Sequence, residues 1–326
     1  MIYENVKFRF EPELGLQNVP VGSFCVHQVG LYNDQIIKET HKMLYHWGNS
    51  TDLWGHKEIN EICDTLKQSD NFVIVEDEVF QFFDCFPFAP VHNLDDTYNL
   101  LYSYMTSGLK CKLLVMENNN FYYNQTLDSL KRYFDIEYLY IKEHTNYLFR
   151  KFNCIKQYHS IKSEALEFIK ENYLKKIVDK YEGSKYYNKI CIIKKLEPKN
   201  CSTWDVIEYT ENFINYKKEH EIFDLNDVVD DLDYKIYLIN KSNMIITNYE
   251  SPFNVNVQKH CIDTNKRIIL FRGYNTQSRP LHELFKKVEN VYQYNDNRGF
   301  SELYFSNIEL YDYVSNIDVL INKISL

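Results

Sequence analysis

KICIIKK, residues 189–195, is the stretch of the chain that decides the fold. Its apolar centre, Ile190 to Ile193, is long enough for a buried strand and too short for a helix. The same pattern returns in HEIF (220–223), NMIIT (243–247) and KRIILF (266–271). Segments with helical spacing of their apolar residues lie between these runs, at 203–216, 226–240 and 252–263. Short strands that alternate with helices indicate parallel sheets covered by helices, so we predict an α/β fold.

The first half of the chain shows the same alternation. We predict strands there at 23–29, 71–76, 110–116 and 137–141. We predict helices at 56–68, 94–106, 123–134 and, most clearly, 163–181. Together the two halves predict two Rossmann-like domains that face a cleft. The predicted boundaries are 1–160 for an N-terminal α/β domain, 161–188 for a connecting helix and linker, 189–285 for a C-terminal α/β domain, and 286–326 for a helical tail with a helix over 309–323.

Charge and composition exclude several classes of function. The chain carries 37 basic and 46 acidic residues, a net charge of −9, whereas a sequence-independent nucleic-acid binder needs a basic face. The glycines form neither GxGxxG nor a P-loop, which argues against a dinucleotide-dependent dehydrogenase and a P-loop ATPase. No apolar run approaches the roughly 18 residues of a membrane span, and the N-terminus has no secretion signal. We expect no nucleic-acid partner, no membrane span and a cytoplasmic location.

The usage of individual residue types indicates the source and the redox environment. Asn, Tyr, Lys and Ile are encoded by AT-rich codons, and their abundance points to a biased genome such as that of a parasite or a large DNA virus. For a viral protein, the location would be the host-cell cytoplasm or the virion. The eight cysteines have no zinc-finger spacing, and several lie in apolar runs, such as Cys111 and Cys191. We expect buried, reduced thiols.

Positive side chains follow two of the predicted strands. Lys194 and Lys195 end KICIIKK, and Arg272 follows KRIILF directly. Because ligands of open α/β sheets bind outside the carboxyl ends of the strands, these cations are candidates for binding an anion. Paired cations there can neutralise a diphosphate. The alternative is that they are solvated strand ends without a ligand.

The loop that follows NMIIT is a second candidate for anion binding. It contains Asn248 and Ser251, and Pro252 suits the first position of the helix that follows. A helix N-terminus at the carboxyl end of a strand presents free backbone N–H groups and a positive dipole. Ser251 and Asn254 can add side-chain donors. The alternative is an ordinary capped helix.

The segment VHNLDD, residues 91–96, opens one of the predicted helices. Asn93 or Asp95 can cap this helix. Asp96 or His92 is a candidate general base, because a carboxylate or imidazole that faces the cleft can take a proton from a substrate hydroxyl. The alternative is that the helix dipole alone favours acidic residues at this position.

Asp231 and Asp233 invite a metal interpretation. Carboxylates are ligands for Mg²⁺, and this spacing recurs in metal-dependent sugar-nucleotide enzymes. Both residues lie within the predicted helix 226–240, however, whose apolar positions fit one buried face. We therefore favour a solvated helix face and expect no metal site.

The order of the motifs in the second half is similar to that of glycosyltransferase family 61. The resemblance extends over about residues 85–275. In that family one strand ends in a basic residue, which Lys194 or Lys195 would match. DLNDVV, residues 224–229, would match the start of the family's LSxxEQ helix.

Two further motifs of the family have counterparts, with substitutions. The segment 249–251, together with Asn254 or Asn256, would match the family's HGA loop, although its His and Gly are absent here. HNLDD, residues 92–96, would match the family's HNxxH helix start. Asp96 stands at the position of the second His of that motif. The chain thus resembles a divergent member of the family.

The resemblance implies a GT-B fold and transfer of a sugar, with inversion, from a nucleotide-sugar donor to a hydroxyl of a glycan or glycoprotein acceptor. Residues 1–160 would form the acceptor side, and residues 189–285 would hold the donor. Asp96 or His92 would deprotonate the acceptor. The donor would be bound by Lys194, Lys195, Asn248, Ser251, Asn254 and Arg272. We expect no metal or other cofactor, and a homodimer as the assembly.

Two alternatives stay open. The substituted motifs favour a catalytically inactive, glycosyltransferase-like binding or scaffold protein. A metal-dependent GT-A transferase that uses Asp231 and Asp233 is the second alternative. The latter predicts that EDTA abolishes turnover.

Overall fold

The structure is a computed structural model, and it describes residues 1–12, 26–40, 56–83, 90–155, 161–183, 190–193, 222–225, 231–248, 257, 259–263, 265–271 and 308–311. The chain divides into two compact units, Met1–Ile169 and Lys170–Leu326. The division falls inside the helical segment that we expected to connect two domains. Each unit contains strands and helices, so the α/β prediction is confirmed at that level.

Seven described strands form one sheet in the first unit. They are β1 (Ile2–Pro12), β2 (Val26–Tyr32), β3 (Gln35–Ile36), β4 (Val73–Gln81), β5 (Lys112–Met116), β6 (Tyr138–Ile141) and β7 (Tyr147–Asn153). The helices are α1 (His56–Gln68), α2 (Pro90–Ser107), α3 (Phe121–Tyr133) and α4 (Ser163–Ile169), with a 3-10 turn at Lys38–Thr40. The strand order is β3-β2-β1-β7-β4-β5-β6.

The sheet of the first unit is mixed. β7, β4, β5 and β6 run parallel, but β1 is antiparallel to both of its neighbours, β2 and β7. Our prediction of a parallel sheet is therefore confirmed for β7, β4, β5 and β6 and wrong for β1, β2 and β3. β1 shows the reason, because Val6, Phe8 and Phe10 are buried while Lys7 and Arg9 between them stay partly exposed. Alternation with a period of two is typical of an antiparallel strand with one polar face.

Apolar clusters hold the first unit together. The ring centre of Phe8 lies 5.8 Å from that of Phe149 and 5.5 Å from that of Phe152. A second cluster joins α1 to β2 and consists of the buried residues Val29, Leu31, Ile59, Ile62, Cys63 and Leu66. The apolar residues of α1 are spaced by three or four positions, as the helix prediction for 56–68 requires.

Helix α2 begins earlier than the sequence pattern predicts. We expected it to start at residue 94, whereas its first residue is Pro90. Proline is favoured at the first helical position because its ring presets φ and because it lacks an N–H that would be unpaired there. The expected capping role of Asn93 or Asp95 is therefore wrong, since both residues lie inside the helix.

Five described strands form a second sheet. They are β8 (Ile190–Ile193), β9 (Ile222–Asp224), β10 (Met244–Asn248), β11 (Arg267–Phe271) and β12 (Ile308–Tyr311). The helices with defined ends are α5 (Lys175–Lys180), which follows a π-helical segment at Lys170–Leu174, and α6 (Leu232–Lys241). The strand order is β12-β11-β10-β8-β9, and every neighbouring pair is parallel. The parallel-sheet prediction is confirmed for this unit.

Strand β12 differs from the predicted helical tail. We expected a helix over 309–323, but residues 309–311 belong to β12, which pairs with β11 from Ile308 to Tyr311. The tail therefore adds an edge strand to the second sheet. Short apolar segments take their conformation from the partner they pack against, which sequence periodicity does not reveal.

Lys266 closes the C-terminal end of α6. Its Nζ donates hydrogen bonds to the carbonyl oxygens of Ile239 at 3.0 Å, Asn240 at 2.7 Å and Ser242. The last carbonyl groups of a helix have no partner within the helix, so this side chain supplies one. Burial lowers the pKa of Lys266, while Cys261 and other acidic groups oppose that shift. The ammonium group thus joins α6 to the start of β11.

Candidate functional site

The strand order of the second sheet changes direction at β8, the first of its strands along the chain. β8 lies between β9 and β10, and the order then continues outward from β10 to β11 and β12. The onward connections from β8 and β10 therefore lead in opposite directions. In open α/β sheets a ligand binds at this reversal, outside the carboxyl ends of the strands. We call the carboxyl ends of β8 and β10, at Ile193 and Asn248, the switch site.

A side-chain hydrogen bond joins the two strands at the switch site. Thr247 pairs with Ile193 in the ladder, and Thr247 Oγ1 donates to the carbonyl oxygen of Ile193 at 2.7 Å. Thr247 is fully buried, so its hydroxyl needs such a partner. Sequence analysis missed this residue, because a threonine in an apolar run carries no functional signal until its neighbouring strand is known.

Two of the predicted donor-binding residues directly follow described strands in the sequence. Lys194 follows Ile193 directly, and Arg272 follows Phe271, the last residue of β11. Because β8, β10 and β11 are parallel neighbours, the strand ends that precede Lys194 and Arg272 lie at the same edge of the sheet. The predicted donor-binding side chains lie outside the described part of the chain, namely Lys194, Lys195, Asn248, Ser251, Asn254 and Arg272. Their roles stay predictions.

A buried carboxylate ends the neighbouring strand, β9. Asp224 is the last residue of β9, pairs with Ile192 of β8 and is fully buried. Sequence analysis placed Asp224 at the start of a helix, but the strand extends to include it. It therefore belongs to the same sheet edge as the switch site. A carboxylate is almost never fully buried unless it has partners.

The two predicted general bases lie on α2. Asp96 lies in the second turn and is 4 % exposed, so its carboxylate belongs to the interior of the first unit. His92 lies in the first turn, and its side chain is outside the described part of the chain. A general base must come within hydrogen-bond reach of the proton that it removes. The burial of Asp96 therefore weighs against direct contact with an acceptor.

Other buried polar residues accompany Asp96 along α2. Thr97 Oγ1 donates to Asn93 Oδ1 at 2.8 Å, and Asn99 Oδ1 accepts from the backbone N–H of Lys162 at 3.0 Å. Buried polar groups are hydrogen-bonded in native proteins, so this helix requires a network of partners. The bond to Lys162 joins α2 to the residue before α4.

The two carboxylates considered for a metal have protein partners. Asp231 caps α6, since its Oδ1 accepts from the backbone N–H of Asp233 at 3.0 Å and its Oδ2 accepts from the Tyr181 hydroxyl at 3.0 Å. Asp233 is fully buried, with its Oδ2 3.6 Å from Lys180 Nζ. The expectation of a solvated helix face is therefore wrong for Asp233. Its burial follows from the packing of α5 against the start of α6.

A surface depression of about 280 Å³ lies beyond the carboxyl end of β5 in the first unit. It is lined by Glu117, Asn118, Asn124, Asp128 and Tyr140. Tyr140 is half exposed, and desolvation followed by the charge of Asp128 raises the pKa of its hydroxyl. Sequence analysis did not assign a role to this region. The sequence feature that could have identified the depression is the Asn-rich turn between a predicted strand and a predicted helix.

The described cysteines include no activated nucleophile. Burial raises the pKa of Cys261 and of Cys111 to about 11, and that of Cys154 to about 12. The thiolate is the reactive form, so the raised pKa keeps these three residues in the less reactive thiol form at neutral pH. The expectation of buried thiols is confirmed for Cys63, Cys154, Cys191 and Cys261, whereas Cys111 is partly exposed.

Comparisons with known proteins give no information on function, so any functional proposal must be argued from the sequence and the geometry. No protein-family model matches the chain, and no curated protein matches it. Among the residues that the structure describes, no group of three or more His, Cys, Asp or Glu side chains is arranged to hold a metal ion. Within those residues, no helix has the length and hydrophobicity needed to cross a membrane.

Proposed function

We propose that the chain transfers a sugar from a nucleotide-sugar donor to a hydroxyl of a glycan or glycoprotein acceptor. The observation that carries the proposal is the strand order of the second unit. The order reverses at β8, and the predicted donor-binding residues Lys194 and Lys195 directly follow that strand in the sequence. A doubly wound parallel sheet with cations at its reversal suits a nucleoside diphosphate. In this proposal the architecture is GT-B, and the first unit is the acceptor side.

The proposed reaction is a single displacement with inversion. The acceptor oxygen attacks C1 of the sugar while the bond from C1 to the diphosphate oxygen breaks, and the acceptor proton passes to a general base. Lys194, Lys195 and Arg272 would meet the charge that develops on the leaving diphosphate. The backbone N–H groups of the loop after β10 would add neutral donors. Fixed donors aimed at a developing charge are commonly the largest catalytic contribution.

His92 is our preferred general base. The burial of Asp96 supports this choice, because a buried carboxylate is poorly accessible to an acceptor hydroxyl. His92 is one turn closer to the start of the helix. Imidazole also exchanges protons near neutral pH, which suits a base that must regenerate in each turnover.

The burial of Asp96 also favours a second candidate function. If Asp96 is the general base and is not accessible to an acceptor, the same fold would bind a nucleotide sugar or a partner protein without turnover. The switch site would then be a ligand-binding site only. Binding and turnover therefore need separate measurements.

Equilibrium binding and thermal shift with UDP-, GDP-, CMP- and dTDP-sugars test the donor site. The double variant K194A/K195A should bind the preferred donor at least about tenfold more weakly, since hydrogen bonds to charged groups contribute about 1.5–3 kcal/mol each. The control K175A/K176A removes two exposed lysines from α5 and should leave the affinity unchanged. If no nucleotide sugar binds to the wild-type chain, the proposal is wrong.

Release of the nucleoside diphosphate distinguishes the enzyme from the inactive binding protein. H92Q should keep donor affinity and lower turnover by about 10²-fold or more, the usual contribution of a general base. Asp96→Asn should keep more activity than H92Q if His92 is the base. Wild-type chain that binds a donor and never releases product across a panel of acceptors would favour the inactive alternative. Loss of turnover in EDTA would favour the metal-dependent one.

A further inference from the structure

The depression of the first unit lies beyond the carboxyl ends of parallel strands. Glu117 and Asn118 follow β5 directly, and Asn124 and Asp128 lie four residues apart on α3, so they share one face of that helix. Tyr140 of β6, the strand that pairs with β5, completes the lining. Ligands of α/β sheets bind outside the carboxyl ends of the strands, which is where these five residues meet.

The two asparagines of the depression are held in place by hydrogen bonds to the backbone. Asn118 Nδ2 donates to the carbonyl oxygen of Met116 at 3.0 Å, and Asn118 Oδ1 accepts from the backbone N–H of Asn120 at 2.7 Å. Asn124 Nδ2 donates to the carbonyl oxygen of Asn118 at 3.0 Å, so its acceptor, Oδ1, lies on the other side of the amide. Groups that are already fixed lose little freedom when a ligand binds.

Tyr140 adds an aromatic ring and a hydroxyl to the lining. Its side chain is half exposed, and its ring centre lies 6.2 Å from that of Tyr138, which is itself anchored by a hydrogen bond from its hydroxyl to the carbonyl oxygen of Leu127 at 2.9 Å. Desolvation, and then the charge of Asp128, raises the pKa of the Tyr140 hydroxyl, so this group keeps its proton and can donate.

The charges of the lining limit the kind of ligand. Glu117 and Asp128 are both acidic, and the nearest cation to Glu117 is Lys142, with Nζ 3.7 Å from Oε2. Two carboxylates disfavour phosphates and other anions. Within the described residues no group of three or more His, Cys, Asp or Glu side chains could hold a metal ion, which argues against a cation site here. The lining therefore favours an uncharged ligand.

A sugar unit has the groups that this lining can satisfy. Its hydroxyls both donate and accept hydrogen bonds, and one face of its ring presents C–H groups. The carboxylate and amide oxygens of the depression accept, the Tyr140 hydroxyl donates, and the tyrosine ring offers an apolar surface. The volume of about 280 Å³ lies just below the roughly 300–1,000 Å³ of pockets for drug-sized ligands, which suits one sugar unit better than a nucleotide sugar.

We infer that this depression is the acceptor subsite and binds one neutral sugar unit of the acceptor glycan, an inference that rests on the proposed function. Asp128 and Asn124 accept hydrogen bonds from hydroxyls of that unit, and the ring of Tyr140 packs against its C–H face. The two carboxylates select against glucuronate, sialic acid and sugar phosphates. The substrate class on the acceptor side is thus a neutral glycan.

Titration of the full chain with sugars, followed by saturation-transfer NMR and calorimetry, tests this inference. The neutral probes are the methyl glycosides of glucose, galactose, mannose, xylose and N-acetylglucosamine, and neutral disaccharides of the same sugars. The charged probes are methyl glucuronide, glucose 6-phosphate and spermine. Wild-type chain should bind at least one neutral probe, and should bind the matching acidic sugar about tenfold more weakly. Binding of spermine in preference to every neutral sugar would overturn the inference.

Variants of the lining locate the bound sugar. Asp128→Ala should weaken its binding about tenfold or more, the effect of losing a hydrogen bond to a charged group. Tyr140→Val removes the ring, suits a strand, and should weaken binding about tenfold, whereas Tyr140→Phe keeps the ring and should lose about threefold. Asp135→Ala and Tyr122→Ala are the matched controls, because both residues are exposed and neither lines the depression. Both controls should keep the affinity within about twofold of wild type.

The outcomes separate the inference from the proposal beneath it, because sugar binding is measured without a donor. If nucleotide sugars bind but no neutral sugar does, or if Asp128→Ala and Tyr140→Val bind the sugar as tightly as wild type, the inference is wrong and the proposed function stands. If neutral sugars bind and no nucleotide sugar does, the proposed function is wrong, and the acceptor role of the depression falls with it. Loss of sugar affinity in both lining variants, with donor affinity unchanged, supports the inference.

Discussion

The hydroxyl of Tyr181 donates to Asp231 Oδ2 at 3.0 Å, which connects the turn after α5 to the cap of α6. The other oxygen of the same carboxylate accepts from the backbone N–H of Asp233. The ring of Tyr181 also lies 5.5 Å from those of Tyr234 and Tyr237 on α6. Asp231 and Tyr181 therefore both contribute to the packing of these two helices of the second unit.

Replacement of Asp231 should affect stability according to the capping ability of the new side chain. Asp231→Ala should lower the free energy of unfolding by about 1–2 kcal/mol, because the backbone N–H groups at the start of α6 lose their acceptor. Asp231→Asn should lower it much less, since an amide oxygen still caps a helix. Urea unfolding of both variants measures this difference. Equal losses in the two variants would show that capping is not the role of Asp231.

A close contact makes Gly30 intolerant of a side chain. A Cβ at this position would lie 2.8 Å from Thr40 Cγ2, closer than real Cβ contacts come. Gly30→Ala should therefore destabilise the first unit by about 1–3 kcal/mol. Thr40→Ser removes that methyl group and keeps the hydroxyl that accepts from the N–H of Gly30 at 3.2 Å. In a double-mutant cycle, the combined variant should be more stable than the sum of the two single changes predicts.

Removal of the Lys266 ammonium group should destabilise the second unit. Lys266→Met leaves the carbonyl groups at the end of α6 buried without their donor, which costs about 2 kcal/mol or more. Lys241→Met is the control, because Lys241 is an exposed lysine at the end of the same helix. The control should change stability by less than about 0.5 kcal/mol. Chemical denaturation of both variants gives the comparison, and similar values for the two would contradict the role assigned to Lys266.

His260 should make the second unit sensitive to acid. Burial, and secondarily the charge of Lys259, lowers the pKa of His260 from 6.5 to about 3. Below pH 6.5 the unfolded chain therefore binds a proton that the folded chain does not, and stability present above pH 6.5 is lost as the pH falls toward 3. For one proton the slope reaches about 1.4 kcal/mol per pH unit.

The variant His260→Gln tests this pH dependence, because glutamine does not titrate. Urea unfolding between pH 7 and pH 4 should show a shallower loss of stability for the variant than for the wild-type chain. Ser242 is buried and does not titrate, so Ser242→Ala serves as the control and should lower stability by about the same amount at every pH. Parallel curves for wild type and His260→Gln would exclude His260 as the source of the slope.

The strands that could be predicted are those with continuous apolar runs. KICIIKK, NMIIT and KRIILF became β8, β10 and β11 because buried parallel strands have this pattern. β1 was missed because it alternates polar and apolar residues, and β7 was missed because Arg150 and Lys151 interrupt its apolar run. The start of α2 was missed because the helical spacing of apolar residues begins only after Pro87 and Pro90, and proline is typical of helix ends and loops.

The candidate site was predictable only as a set of strand ends. The lysine pair and the loop after β10 could be identified from the sequence, because each follows an apolar run. The order of the strands could not, since it depends on pairing between residues far apart in the chain. Thr247 and Asp224 could be identified as neighbours of the site only from that order, which pairs Thr247 with Ile193 and Asp224 with Ile192.

Strand β12 has a consequence for biosynthesis. The long segment 272–307 separates β12 from its partner β11, so a nascent chain that already contains β8 to β11 still lacks the outer strand of that sheet. Until residue 311 leaves the ribosome, the backbone groups along one side of β11 are open to pairing with a neighbouring chain. During the interval before β12 docks, this open edge of β11 is therefore a site of potential association between nascent chains.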